Sequence, residues 1–104
     1  MDADSRERTV HLVLDLVCEI PPGRVSTYGD LARLASDIAP TPVTARMVGR
    51  MLGGAERDVP WWRVVGHDGR LPPGLEVSAR QRLVGEGCPM RGSRADVGRA
   101  RWPG

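Results

Sequence analysis

Proline and glycine cut this chain into short segments, and in four of them the apolar residues recur at steps of three and four, so the chain can be little other than a cluster of short helices. In RTVHLVLDLVCEI the residues Val10, Val13, Leu14, Val17 and then Ile20 fall on one face, which predicts a helix with one buried side. PPG, Pro21 to Gly23, stops it. RVSTYGDLARLAS follows, with Ser26 or Thr27 as N-cap, Asp30 in the first turn, and Leu31, Leu34 and Ala35 facing inward. After the loop DIAPTP, the stretch VTARMVGRMLGG puts Val43, Met47, Val48 and Met51 on one side and Arg46 and Arg50 on another, and Gly53 and Gly54 close it. A fourth helix is expected in PPGLEVSARQRLVGEG through Leu75, Ala79, Leu83 and Val84.

Two short helices joined by a brief connection, the second carrying arginines, form a helix-turn-helix candidate. Between the third and fourth helices lies DVPWWRVVGHDGRL. It reads as a short strand, a turn at His67 to Gly69 and a second short strand, a hairpin or wing. Trp61 and Trp62 are adjacent in a chain with only three tryptophans. On a strand they would point to opposite faces, so one simple core would not hold both.

With 104 residues the expectation is a single domain with one small core and one site. The N-terminus, MDADSRERTV, is charged where a secretory signal is apolar, and no run is long enough to span a membrane. The chain is therefore read as cytoplasmic, with nucleoid association expected only where the helix-turn-helix candidate binds DNA. Cys18, near the buried face of the first helix, and Cys88 lack the spacing of a metal site or redox pair and read as reduced thiols. His11 and His67 are too isolated to form a metal site, so no metal and no cofactor is expected. The net charge is only +2, although every basic residue is arginine, the side chain best suited to phosphates and base edges. Codon usage in a GC-rich genome explains that bias equally well. From Cys88 onward four arginines face one aspartate, and a loosely ordered basic tail is expected, pinned by Trp102.

Three stretches in order, VCEIPPGRVSTYGDLA, ARMVGRML and VPWWRVVGHDGRL, resemble the DNA-binding domain of the O6-alkylguanine-DNA alkyltransferases over roughly Val10 to Gly87. Three ordered motifs are far more specific than any one alone. The alkyltransferases carry Pro-Cys-His-Arg at the active position, where this chain has Pro60, Trp61, Trp62 and Arg63. The chain thus resembles the alkyltransferase-like proteins, which have tryptophan for the cysteine, and departs from their usual Pro-Trp-His-Arg at Trp62. The implied fold is mainly α with a small β-hairpin, a winged-helix-like helix-turn-helix domain of the alkyltransferase C-terminal type at residues 1–87, followed by the basic tail at 88–104.

The resemblance implies a monomeric, non-enzymatic protein that binds O6-alkylguanine in duplex DNA, flips the base without removing the alkyl group, and hands the site to nucleotide-excision repair proteins. Tyr28 would push the lesion's 3′ phosphate and Arg46 would fill the gap in the stack. Ala45 and Gly49 would let the third helix lie close in the minor groove. Trp61, an indole with a flat apolar face and no nucleophilic lone pair, would wall a lesion pocket together with Tyr28, Pro60, Arg63 and Arg70. Trp62 would be a packing ring beneath it. Ser26 and Thr27, with the amides opening the second helix, would hold a phosphate, although capping accounts for both hydroxyls as well. Arg63 also suits a structural tie to a carboxylate, and Glu86 reads as a solvated residue at a helix end. The competing class is a winged-helix transcription regulator, which would read the major groove and bind as a dimer.

Overall fold

The computed structural model describes residues 2–103. Helix α1 (Ala3–Glu19) starts where the Asp2 carboxylate accepts from the Ser5 amide at 2.7 Å, and it buries Val13, Leu14, Leu16 and Val17. It ends at the PPG turn. Gly23 there has φ +85°, and an added Cβ would sit 3.0 Å from the Glu86 carbonyl oxygen, so both conformation and space demand glycine.

Strand β1 (Ser26–Thr27) runs parallel to β2 (Val64–Val65), pairing Ser26 with Val64 and Thr27 with Val65. Thr27 also caps α2 (Tyr28–Ile38), accepting from the Asp30 amide at 3.0 Å. The connection to α3 (Ala45–Gly53) is held by the Ser36 hydroxyl. It accepts from the Val43 amide at 2.8 Å and donates to the Val43 carbonyl at 3.1 Å. Thr44 caps α3 by accepting from the Met47 amide. The pair α2–α3 is the expected helix-turn-helix, with Leu31, Ala35 and Val48 buried between it and α1.

Strand alternation divides the core in two. Val64 belongs to the α1–α2–α3 core, and its neighbour Val65 points the other way, into a second core with Val25, Leu71, Ala79, Leu83, Cys88, Ala95 and Ala100. The second core draws on α4 (Glu76–Gly85), on the antiparallel hairpin β3 (Met90–Arg91) and β4 (Arg94–Ala95), and on α5 (Val97–Ala100).

Two expectations are corrected here. Residues 88–103 are no loose basic tail: Cys88, Ala95 and Ala100 are buried. The Val25 amide donates to the Ala100 carbonyl at 3.0 Å, and the Trp102 amide to the Val25 carbonyl at 2.8 Å. The Arg101 guanidinium adds an ion pair with the Asp30 carboxylate at 2.6 Å. The antiparallel hairpin also lies in this segment rather than around His67 to Gly69. After β2 the chain turns with one hairpin-like bond, Gly66 amide to Arg70 carbonyl, and makes no second strand. The Gly69 carbonyl accepts from the Ala95 amide at 2.9 Å, and a Cβ on Gly69 would lie 2.0 Å from the Ala95 carbonyl oxygen. The C-terminal hairpin packs against this turn as a separate sheet and does not pair with β2.

In α4 the buried residues are Ala79 and Leu83, whereas Leu75 and Val84 are about half exposed at 50% and 48%. Among the described residues no helix is long and apolar enough to cross a membrane.

Candidate functional site

The residues Pro60 to Arg63 do not lie on a strand. They form a single 3-10 turn, held by the Arg63 amide to the Pro60 carbonyl at 3.0 Å and the Val64 amide to the Trp61 carbonyl, and entered through a bond from the Trp61 amide to the Val59 carbonyl at 2.8 Å. Successive side chains on such a turn diverge by about a third of a revolution rather than half. The two rings therefore meet edge to face, centroids 5.7 Å apart and planes at 88°, a favoured aromatic geometry. Trp61 bridges both cores and Trp62 packs only on the second.

Glu86 corrects its reading as a solvated helix end. Its side chain is 16% exposed and that of Arg63 13%. The carboxylate accepts from Trp62 Nε1 at 3.0 Å, from Arg63 Nε at 3.0 Å, from an Arg63 terminal nitrogen at 2.6 Å and from the Gly23 amide at 3.2 Å. Arg63 also donates to the Ile20 carbonyl at 2.9 Å. One carboxylate thus ties α1's end, the tryptophan turn and α4's end together. Burial pushes the Glu86 carboxyl up, but the bonds from Arg63, Trp62 and the Gly23 amide outweigh it and hold it below its ordinary value. Trp62 is more than filler, because its N–H is fixed by this carboxylate.

A cavity of about 760 Å³ opens beside the turn, lined by Pro60, Trp61, Trp62 and Arg63, by Leu52, Ala55, Arg57, Asp58 and Val59, and by Cys18 and Arg82. Three of the five expected pocket residues, Trp61, Pro60 and Arg63, are brought together here. Tyr28 and Arg70 are not among its walls. Arg70 is exposed and paired with Asp68 at 3.5 Å on the turn after β2, so its assignment to the pocket is corrected. Cys18 lies on the exposed side of α1 rather than its buried face. Cys88 is buried, and burial pushes its thiol up.

The arginine that sequence reasoning missed is Arg82. Its guanidinium carbon sits 4.5 Å from the Trp62 centroid and 5.8 Å from the Trp61 centroid. One signal was available, since Arg82 and Glu86 are four residues apart and share a helix face.

The other predicted residues lie on α2 and α3. Arg46 is exposed and makes no ion pair or hydrogen bond among the described residues; Ala45 beside it is exposed too. Tyr28 is half-buried, its hydroxyl pushed up by desolvation. Gly49 backs onto it: an added Cβ would lie 3.9 Å from the Tyr28 ring. Ser26 is 0% exposed and Thr27 6%. With Ser26 enclosed and the Thr27 hydroxyl engaged by the Asp30 amide, neither presents itself to a phosphate, and that expectation is corrected. Among the described residues no group of three or more His, Cys, Asp or Glu is placed to hold a metal.

Comparison with known proteins identifies the family and the fold. Residues 9–87 match the 6-O-methylguanine DNA methyltransferase, DNA binding domain, family model. A DNA base-flipping protein of Escherichia coli is 40% identical over 96 residues, spanning 86% of this chain and 70% of the relative. Alkyltransferase-like protein 1 of Schizosaccharomyces pombe is 44% identical over 85 residues, 75% of this chain and 74% of the relative. The crystal structure of S. pombe Atl1 in complex with damaged DNA containing O6-carboxymethylguanine superposes with a TM-score of 0.76 at 31% identity, covering 98% of both chains. By family model, sequence and fold alike, the chain belongs to the 6-O-methylguanine DNA methyltransferase family, on its alkyltransferase-like side.

Proposed function

We propose that this protein recognises O6-alkylguanine in duplex DNA by flipping the base and holding it in the cavity beside Trp61, that it transfers no alkyl group, and that it passes the lesion to nucleotide-excision repair. The single observation that carries the reading is the cavity itself. It stands where the family's active motif lies, yet tryptophans occupy the cysteine and histidine positions.

Alkyl transfer needs a thiolate, a base to generate it and a group to orient that base. Trp61 supplies an apolar face and no nucleophile, and the Trp62 indole donates to Glu86 instead of moving a proton. Cys18 lines the cavity, but no histidine or lysine is among its walls. What remains is a binding pocket with a rigid aromatic wall.

Flipping a base costs a few kcal/mol of unstacking. Arg46, exposed and unpaired on α3, fits the role of filling the vacated stack with a planar cation. Tyr28, which opens α2 and packs against Gly49 in the middle of α3, fits the role of pressing on the neighbouring phosphate. Ala45 and Gly49 keep that face of α3 low enough to enter a minor groove, whose degenerate code suits a protein that reads damage rather than sequence.

The test is a fluorescence-anisotropy titration, at one stated salt concentration, of a short duplex with a single O6-methylguanine against the same duplex with guanine. Intact-mass spectrometry of the protein afterwards completes it. The reading requires tighter binding to the lesion and no added mass. A mass gain of one methyl group overturns the claim of no transfer, and equal affinity overturns lesion recognition in favour of a general or regulatory DNA-binding role.

A further inference from the structure

Three arginines line the cavity, but two are already neutralised. Arg63 is bound to Glu86 at 2.6 Å, and Arg57 to Asp15 at 2.6 Å. Arg82 has no acidic partner among the described residues; its one bond is a 3.5 Å contact to the Ser78 hydroxyl a turn earlier. It is held instead by the faces of Trp61 and Trp62. The opposing free charge is Asp58, exposed on the loop leading into the tryptophan turn and also on the cavity wall. The cavity therefore carries one uncommitted charge of each sign, with the positive one directly over the aromatic wall.

We infer that Arg82 is a specificity-determining residue that reads the charge of the O6 substituent, favouring alkyl groups that end in a carboxylate over neutral ones, with Asp58 opposing it. The inference rests on the lesion-binding reading above. A base stacked on Trp61 brings its O6 substituent within the reach of a guanidinium already lying across both rings. A terminal carboxylate there accepts charge-assisted, geometrically bidentate hydrogen bonds, whereas a methyl group offers none. The aromatic faces exclude water from one side of the guanidinium and strengthen the contact. Arg82 is free to exchange its weak bond to Ser78 for a stronger one. Asp58, surrounded by solvent, is better screened, so its repulsion is the smaller effect.

The experiment titrates wild type, Arg82→Gln, Arg82→Lys and Asp58→Asn against duplexes containing guanine, O6-methylguanine or O6-carboxymethylguanine. Wild type should prefer the carboxymethyl over the methyl lesion, on the order of tenfold. Arg82→Gln should bring that ratio close to one by weakening carboxymethyl binding far more than methyl binding. Arg82→Lys should keep part of the preference, and Asp58→Asn should enlarge it. Asp58→Asn, at an exposed side chain with no partner among the described residues, should retain the wild-type melting temperature, and the two Arg82 variants should stay folded by circular dichroism while losing at most the few degrees that the contacts with Trp61 and Trp62 supply. A carboxymethyl-to-methyl ratio that is the same in wild type and Arg82→Gln, with lesion preference intact, overturns the inference alone. Equal affinity of wild type for all three duplexes overturns the lesion-binding reading and the inference with it.

Discussion

The substitution Glu86→Gln removes one charge from the point where three elements meet. Glutamine keeps an acceptor oxygen of similar reach, but the Arg63 guanidinium, 13% exposed and still anchored to the Ile20 carbonyl, loses its counter-ion. The amide must also turn a donor toward the Trp62 N–H, the Arg63 nitrogens or the Gly23 amide, all donors themselves. Breaking a fully buried pair from one side costs about 3–5 kcal/mol, and a single hydrogen bond to a charged group is worth about 1.5–3 kcal/mol. Residual exposure and the retained acceptor place the loss nearer about 2 kcal/mol, equivalent to roughly 10 °C in Tm for a domain of this size. Thermal unfolding followed by far-UV circular dichroism at neutral pH reads it directly. Glu56→Gln, at an exposed residue with no partner among the described residues, is the control and should stay within about 0.5 kcal/mol. A Glu86→Gln loss no larger than the control's would refute the network, as would additive losses in the cycle with Trp62→Phe, because residues sharing one carboxylate must couple.

The same carboxylates set the acid limit. Glu86 and Asp30 are both held below their ordinary values, Asp30 first of all by the Arg101 hydrogen bonds. Their contributions are complete above the unfolded carboxylate values and fade as pH falls through the folded ones, so Tm should drop steeply in the acid range and less steeply in Glu86→Gln. Arg101→Ala should lower the midpoint of denaturant titrations by leaving Asp30, 12% exposed, with Arg33 as its one remaining ion-pair partner among the described residues, and truncation after Gly87 should abolish cooperative unfolding because it uncovers the second core. Arg46→Ala and Tyr28→Ala should keep the fold by circular dichroism while weakening lesion binding in anisotropy titrations by roughly tenfold or more, since each removes a contact that offsets unstacking; unchanged affinity in both variants would remove them from the mechanism.

What the sequence disclosed follows from the range of the interactions. Helices α1 to α4 were legible because an amphipathic face is a local pattern: Val13, Leu14 and Val17 repeat within one segment, and the Thr27 cap stands next to the helix it starts. Trp61 as a pocket wall came from motif position alone, since nothing in its local pattern separates a core ring from a cavity lining. Glu86 was misjudged because its partners are 23, 24 and 63 residues away, and a carboxylate beside a helix-ending glycine looks solvated until the tertiary fold closes on it. The last stretch looked like a tail because its four arginines mask a sparse apolar set. Cys88, Ala95 and Ala100 are too widely spaced to show a period, yet each fills the second core. The turn at Gly66 to Arg70 carries a hairpin signature, but the ladder stops there because Asp68 takes the Arg70 amide and Pro72 and Pro73 have no N–H to give to β2.

The central claim is that the flipped base enters this cavity, and Cys18 offers a direct probe of it. Its thiol is exposed and on the cavity wall, whereas Cys88 is buried, so a bulky maleimide should label Cys18 first. The measurement is the Cys18 labelling rate of the protein saturated with O6-methylguanine duplex, compared with protein saturated with the guanine duplex at the same salt. The account predicts that the lesion duplex slows labelling several-fold more than the guanine duplex, because only the lesion fills the cavity. Equal rates in the two complexes, with lesion-selective binding intact, would contradict it and place the bound base elsewhere on the protein.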